Sequence, residues 1–275
     1  MVHWLRLIIL GAVQGITEFV PVSSSGHLVL FQELLGLEYE GITLEIAVHV
    51  GTLFAVGAVY WRDCLKIAAS ALRNGWRIAR RQVRFSDAMR DPRFYLAVSI
   101  FLATLATVLA IFPLSDSVRH IFHELPLVVA AWLLTSILLW RTRDLRPTGL
   151  LPGLGVAVII GLFQALAVIP GISRSGATIA AGLFFGLSRR EAARFSFLLS
   201  VPAIAGAALL DVPGALGEMA DPGFLQDAIL ATIVAAISGY FALRFVIGKV
   251  VQGELHKFVY YLVPLALAVS VWQVL

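Results

Sequence analysis

The sequence predicts an all-α polytopic membrane protein with six transmembrane helices and two re-entrant helical hairpins in an inverted-topology repeat. Three observations predict this fold class: the composition, the placement of basic residues between apolar runs, and a repeat within the chain. Of the 275 residues, 59% are hydrophobic and 14% are charged, and the mean hydropathy is +0.89. A soluble domain has about 25% charged residues. The apolar runs are long and continuous, whereas strands of a membrane barrel alternate over short segments.

The predicted spans are apolar runs close to the roughly 20 residues that a helix needs to cross a bilayer. They are Leu44–Trp61, Phe94–Phe112, Leu125–Trp140, Glu191–Leu210, Phe224–Val246 and Phe258–Val274. Segment 62–93 holds nine Lys or Arg against three Asp, which indicates a basic amphipathic cytoplasmic segment at the membrane surface. The early apolar run Leu7–Val13 is not expected to be a signal peptide, because no convincing small-residue cleavage site follows it. We therefore expect one integral membrane domain over residues 1–275.

The basic residues between the spans determine the predicted orientation. Cytoplasmic loops are enriched in Lys and Arg, so segments 62–93 and 141–149 are placed inside and 113–124 outside. If 150–169 crossed the membrane, the acidic loop 211–222 would lie inside and the next basic loop outside. A hairpin that enters and returns avoids this conflict, and the same reasoning makes the first 40 residues a second hairpin. The net charge of +4 therefore reflects topology and does not indicate nucleic-acid binding.

The two predicted hairpins align with each other at an offset of 150 residues. Gly11 to Gln14 matches Gly161 to Gln164, Ser23 to Gly26 matches Ser173 to Gly176, and Gly36-Leu37 matches Gly186-Leu187. Their inferred orientations are opposite, which predicts inverted repeats over roughly 1–112 and 150–275. In such proteins the broken helices meet near the bilayer midplane and form the binding site there.

The stretch Pro170–Thr178 places an arginine and three hydroxyl groups between two apolar runs. Pro-Gly ends a helix, and the following serines can cap a new one, whose first N–H groups bind anions. Arg174 beside such donors suits a phosphate, which a guanidinium can bind through two parallel hydrogen bonds. The alternative is a kinked helix whose arginine reaches the membrane surface, but this does not account for the clustered hydroxyls. We therefore expect Ser173, Ser175 and Thr178 to bind substrate with Arg174.

The first hairpin carries the side chains expected to perform chemistry. Gln14 and Glu18 share a helix face, and Ser24 and His27 follow the break. A nucleophile and a base in a low-dielectric pocket require these residue types. Glu18 could instead be a structural partner of Arg174, and His27 a hydrogen-bonded core histidine.

Other polar residues carry weaker expectations. Gln14 and Thr178 have an alternative role in helix packing. Glu45 and His49 form a further intramembrane pair, which we expect to line the cavity or support the site without taking part in catalysis. His120 and His123 are expected to be solvated in an outer loop. The single cysteine, Cys64, excludes an internal disulfide and a cysteine metal cluster.

At Gln14–His27 and Pro170–Thr178 the sequence resembles the bacterial undecaprenyl-diphosphate phosphatase family, also known as the bacitracin-resistance protein. The segment Leu44–Leu53 is also similar to a family segment. The resemblance runs along the whole chain, and its paired signatures are highly specific. Many members carry Glu where this chain has Gln14, so Glu18 is the only carboxylate in the first signature. A metal site built from two carboxylates is therefore not expected.

The resemblance implies hydrolysis of undecaprenyl diphosphate to the monophosphate at the outer face of the bacterial plasma (inner) membrane. This reaction recycles the lipid carrier for peptidoglycan and other wall polymers and confers bacitracin resistance. The resemblance also implies a divalent cation, magnesium or calcium, and leaves a lipid-flipping role and a homodimer open. A transporter would share the repeat without needing the Ser, His and Glu set. A structural membrane protein has no reason to keep so many polar groups at depth.

We expect the following roles. Arg174 holds the diphosphate, and Ser24 attacks the terminal phosphorus, with His27 accepting its proton or donating one to the leaving group. The alternative nucleophile is His27. Glu18 either orients His27 or binds the cation. The remaining predicted substrate-binding residues are Gln14, Ser23, Ser173, Ser175 and Thr178.

Overall fold

The computed structural model describes residues 2–35, 42–114, 125–215 and 221–274. In these ranges the chain forms helices and no β-strand, which confirms the predicted all-α class. The α-helices are α1 (Val2–Phe19), α2 (Ser24–Leu35), α3 (Ile42–Ala79), α4 (Phe85–Ala88), α5 (Pro92–Ile111), α6 (Leu125–Trp140), α7 (Leu154–Leu166), α8 (Arg174–Phe184), α9 (Arg189–Ala215), α10 (Pro222–Val251) and α11 (Val259–Val274). Short 3-10 helices follow α5 and precede α11.

Five stretches in the described residues are long and apolar enough to cross a membrane, and they correspond to five of the six predicted spans. The sixth, α6, is apolar but has 16 residues. Several predictions concern residues outside the described ranges. They are the match between Gly36-Leu37 and Gly186-Leu187, the loop histidines His120 and His123, and part of the acidic loop 211–222.

The two predicted hairpins are helix–turn–helix units: α1 with α2, and α7 with α8. Ser23 and Ser173, which are related by the offset of 150, have equivalent local roles. The Ser23 hydroxyl accepts from the backbone N–H of Gly26 (3.3 Å), and the Ser173 hydroxyl accepts from that of Gly176 (3.1 Å). Both serines therefore cap the second helix of their hairpin. The orientation of the hairpins in the membrane stays a prediction.

The two predicted halves of the chain pack against each other, because the first helix of each hairpin contacts a helix of the other half. Helix α1 lies along α10, and α7 lies along α5. Glycines make this close approach possible. A Cβ atom on Gly15 would lie 2.5 Å from the carbonyl oxygen of Ala235, and one on Gly161 would lie 2.2 Å from that of Ala103. Small residues at helix contacts let backbones approach in this way in membrane proteins.

Helix α3 differs from its predicted boundary, since it continues beyond Trp61 to Ala79 with a kink at Tyr60. Segment 62–93 is therefore the second half of α3, then a turn, α4 and the start of α5. Contacts with other helices hold this extension. Arg194 on α9 donates to Asp63 (2.7 Å), and the Ser70 hydroxyl donates to Asp91 (2.6 Å), the N-cap of α5.

Candidate active site

The turns of the two hairpins meet inside the helix assembly. The backbone N–H of Gly171 donates to the Ser23 hydroxyl at 3.1 Å, so the cap of one hairpin also binds the turn of the other. Gly171 has a φ of +96°, and Ser23 has a φ of +70°, which is rare for a residue with a side chain. A side chain at Gly171 would also meet the backbone of Val128 at 2.4 Å. The junction therefore depends on glycine at this position.

Helix α6 holds both turns through two buried side chains. The Trp132 indole donates to the carbonyl of Val22 at 3.1 Å. The Thr135 hydroxyl donates to the carbonyl of Gly171 (3.0 Å) and accepts from the backbone N–H of Ser173 (3.1 Å). Sequence reasoning missed these two residues, because α6 is read only as an apolar span. The sequence shows only that Trp132 and Thr135 carry hydrogen-bond donors within an apolar span. Such donors are too common in membrane helices to identify these two residues in advance.

Glu18 is the centre of the polar cluster at this junction. Its Oε1 accepts from Arg174, which lies in the other hairpin. Its Oε2 accepts from the Ser24 hydroxyl at 2.6 Å and from the Gln14 amide at 3.0 Å. The Glu18 and Arg174 side chains are only 8% and 18% exposed. The structure thus brings together four residues predicted for the site, and Ser24 itself is only half-buried.

Two buried polar atoms of this cluster have no hydrogen-bond partner in the described chain: Oε1 of Gln14 and Nη1 of Arg174. The carboxylate of Glu18 only accepts hydrogen bonds, so the Gln14 amide must turn its NH₂ toward it and its oxygen away. Unsatisfied buried polar groups are rare in native proteins and call for an explanation. Here they leave one donor and one acceptor, both next to Glu18, for an incoming ligand.

His27 lies at the same junction but makes different contacts from those predicted. Its Nδ1 is 2.8 Å from the carbonyl oxygen of Ser23, and its Nε2 is 2.8 Å from the hydroxyl of Tyr261. The imidazole stacks on the Tyr261 ring and meets Trp132 edge-on. In this state neither Ser24 nor Glu18 is a partner of the ring, so the expectation that Glu18 orients His27 does not match the structure. The short spacing between Glu18, Ser24 and His27 in the sequence suggested that they are in contact. In the structure, the face of α2 that carries His27 places its ring against Tyr261 of α11.

The other hydroxyls of the second hairpin are buried and bonded within the protein. Thr178 contacts the hydroxyl of Ser196 at 2.6 Å and the carbonyl of Arg174 at 2.8 Å. Ser175 lies 3.2 Å from Ser173 through their hydroxyl oxygens. These contacts fix the first turn of α8 and hence the position of Arg174. The binding of substrate by these hydroxyls stays a prediction.

The described residues contain no group of three or more His, Cys, Asp or Glu that could enclose a metal ion. Glu18 and Gln14 are neighbouring side chains with hard oxygen ligands, the Gln14 Oε1 being unpaired and turned away from the carboxylate. Magnesium commonly binds one or two protein carboxylates together with substrate phosphates. These oxygen ligands therefore fit a magnesium or calcium ion whose remaining ligands come from a diphosphate. Glu45 and His49 lie one turn apart on α3, where the His49 ring bonds the Glu45 carbonyl (2.8 Å).

Comparisons with known proteins show which family the chain resembles along its length. The sequence model of the family described as "Bacitracin resistance protein BacA" matches residues 7–268. An undecaprenyl-diphosphatase of Desulfosudis oleivorans is 43% identical over 96% of this chain and 96% of its own length. The undecaprenyl-diphosphatase of Rubrobacter xylanophilus is 39% identical over 98% of both chains.

Proposed function

Because this chain belongs to the bacitracin resistance protein BacA family, we infer that it hydrolyses undecaprenyl diphosphate to undecaprenyl phosphate and inorganic phosphate. It is a multi-pass membrane enzyme, and its reaction recycles the lipid carrier for cell-wall synthesis and confers bacitracin resistance. The observation that carries the assignment of the site is the contact of Glu18 with Arg174 and Ser24 across the two turns.

Arg174 binds the diphosphate in this proposal. Its Nη1 has no partner in the described chain, and its Nη2 can pass from Glu18 to a phosphate oxygen. Arg174 is the first residue of α8, where the first N–H groups of the helix have no intrahelical partners and favour anions. Phosphoryl transfer depends mainly on positioning and charge stabilisation, so Arg174 contributes to both.

Ser24 is the nucleophile, and Glu18 accepts its proton. The 2.6 Å hydrogen bond from the Ser24 hydroxyl to Glu18 Oε2 supports this pairing. The Ser24 oxygen forms a bond with the terminal phosphorus while the bond from that phosphorus to the bridging oxygen breaks, releasing undecaprenyl phosphate. Water then attacks the phosphoserine and gives a proton to His27 while the bond from phosphorus to the Ser24 oxygen breaks. Ser24 recovers its proton from Glu18, and the proton on His27 passes to the released phosphate or to solvent. His27 follows Ser24 by three positions on α2 and so lies on the same side of that helix.

A bound magnesium or calcium ion would be held by Glu18 and the Oε1 of Gln14, and it would offset the negative charge of the diphosphate. Assembly as a homodimer and movement of the lipid across the membrane stay predictions.

We also place the site at the outer face of the bacterial plasma membrane. The basic residues of 62–93, 141–149 and 244–257 support this orientation, since basic loops stay on the cytoplasmic side.

The test is phosphate release from a short prenyl diphosphate in detergent, with and without a chelator. Arg174→Lys keeps the charge but loses the two-pronged guanidinium, and we expect its activity to fall by about 100-fold. Arg141→Lys, at an exposed position after α6, is the matched control and should retain full activity. Near-normal release by the Arg174 variant would reject the assignment. Release in detergent without any gradient also separates a phosphatase from a transporter.

Trapping of a phosphorylated enzyme identifies the nucleophile. We expect the label on Ser24 and none in Ser24→Ala. A label on His27 would show that the imidazole attacks phosphorus and that Glu18 has another role.

A further inference from the structure

Tyr261 is a residue that no sequence motif singles out, yet it contacts the histidine of the candidate site. It lies in α11, 234 positions from His27 in the sequence. The two rings are stacked, with centroids 5.7 Å apart and planes 12° from parallel. The Tyr261 hydroxyl lies 2.8 Å from Nε2 of His27. About half of the Tyr261 residue is exposed, whereas His27 is almost fully buried.

The partners of His27 determine which of its nitrogens carries a proton. Nδ1 faces the carbonyl oxygen of Ser23, which can only accept a hydrogen bond, so Nδ1 must carry the hydrogen. In a neutral imidazole the other nitrogen then has a lone pair, and the hydroxyl of Tyr261 donates to it. The ring is buried between Tyr261 and Trp132, without a carboxylate as a partner, and burial of an unpaired charge is costly. The structure therefore contains His27 as a neutral base whose only available lone pair is bound to Tyr261.

We propose that Tyr261 is a positioning residue of the phosphatase reaction, whose hydroxyl holds Nε2 of His27 as a proton acceptor. The proposal rests on the proposed function, in which His27 accepts a proton from the water that attacks phosphoserine. Before that step, the hydrogen bond from the phenol fixes the direction in which the imidazole ring points, and the attacking water then replaces the phenol on the lone pair that is held in this direction. Because Tyr261 is half-exposed, it can leave this place without disturbing the buried core.

The ring and the hydroxyl of Tyr261 have separable roles. The stacked ring fills space beside His27, and phenylalanine would preserve this contact. Only the hydroxyl makes the hydrogen bond to Nε2, whereas the Ser23 carbonyl already keeps the hydrogen on Nδ1. Tyr261→Phe thus removes the proposed function of the residue while preserving its packing. If the residue were merely structural, this variant would behave as the wild type.

The adjacent Tyr260 provides a matched control. It is 66% exposed and packs edge-on against Trp140, with ring centroids 6.3 Å apart. Its hydroxyl has no protein partner in the described chain. Tyr260→Phe therefore makes the same chemical change one residue away, on a side of α11 that does not contact His27.

Two measurements test the proposal. The first is NMR of the enzyme with ¹⁵N-labelled histidine in detergent, with the His27 signals assigned by their loss in His27→Gln. We expect the neutral form with hydrogen on Nδ1 in the wild type and in Tyr260→Phe. In Tyr261→Phe the Nε2 resonance should shift as its hydrogen bond is lost. Unchanged His27 signals in Tyr261→Phe would overturn the proposal.

The second measurement is steady-state phosphate release. We expect kcat of Tyr261→Phe to fall about 10-fold, the effect of one lost hydrogen bond, with little change in KM. A wild-type kcat, or a loss confined to KM, would overturn the positioning role. The NMR result does not depend on turnover, so it tests the Tyr261–His27 contact even if the wild type releases no phosphate. That last outcome would instead reject the proposed function.

Discussion

Gly161→Ala tests the helix contact that positions the second hairpin. Gly161 lies on α7, where the carbonyl oxygen of Ala103 on α5 would be 2.2 Å from an added Cβ atom. The Thr107 hydroxyl lies 2.8 Å from the Gly161 carbonyl oxygen, and the Gln164 amide donates to that hydroxyl at 3.1 Å. The obstructing atoms belong to the backbone, so no change of rotamer can relieve the clash. Helix α7 must move by about 1 Å to restore ordinary contact distances.

The magnitude follows from three contributions. Overpacking of a tight contact costs about 1–3 kcal/mol, and a lost hydrogen bond costs about 1 kcal/mol more. Replacing a helical glycine by alanine recovers about 1 kcal/mol. We therefore expect a net destabilisation of about 2 kcal/mol. Because α7 leads directly into the turn before Arg174, activity should fall further, by about 100-fold for a 1 Å displacement of a binding group.

Gly155→Ala is the control for this prediction, because it lies on the same helix and its Cβ would meet no atom within 4 Å. We expect this variant to be as stable as the wild type, or up to about 1 kcal/mol more stable. Both variants are compared by thermal unfolding, followed by tryptophan fluorescence in detergent, and by phosphate release. If Gly161→Ala matches Gly155→Ala in unfolding temperature and in activity, the backbone contact does not position the hairpin.

Two further predictions concern the supports of the site and of the cytoplasmic extension. Thr135→Val keeps the shape of the side chain but leaves two buried backbone groups unpaired, so we expect a loss of about 2 kcal/mol in thermal unfolding. Thr104→Val is the control: it loses only the hydrogen bond to the Ile100 carbonyl of its own helix, so it should lower the free energy of unfolding by less. The hydrogen bond from Ser70, with those from the α5 backbone and Asn74, holds the pKa of Asp91 below its usual range. From the ordinary aspartate pKa of 3.8 down to the lowered pKa of the folded state, the unfolded chain therefore binds more protons, and stability should fall as pH decreases through this range. In Asp91→Asn the unfolding temperature should not show this fall at low pH. If the unfolding temperatures of the wild type and of Asp91→Asn depend on pH in the same way, Asp91 is not the cause.

Much of the fold could be predicted from local sequence. Long apolar runs predicted the spans, and Pro170-Gly171 with the serines after it predicted the break before Arg174, because Pro-Gly ends a helix and serine caps the next one. The offset of 150 predicted equivalent positions, and the structure gives Ser23 and Ser173 the same capping role. The extent of α3 was predicted less well. Polar side chains do not stop a helix, so the change of composition at Trp61 marked no boundary.

The candidate site was predicted in its composition but only partly in its contacts. Glu18, Gln14, Ser24 and Arg174 were expected to act together, and the structure brings them into one hydrogen-bonded cluster. His27 was expected to act with Ser24 and Glu18, whereas its ring nitrogens contact Ser23 and Tyr261 in the structure. Spacing along α2 shows which residues share a helix face, but it does not show which distant helix lies opposite that face.

The sequence by itself determined the helical membrane class and the two broken segments that carry the polar residues. Hydrophobicity and helix breaks are properties of short stretches, so they can be read without a partner. Only the tertiary structure decided that Glu18 meets Arg174 and that His27 meets Tyr261. Each of these pairs joins residues more than 150 positions apart. Their contact depends on how closely distant helices approach, which is set by packing at positions such as Gly161.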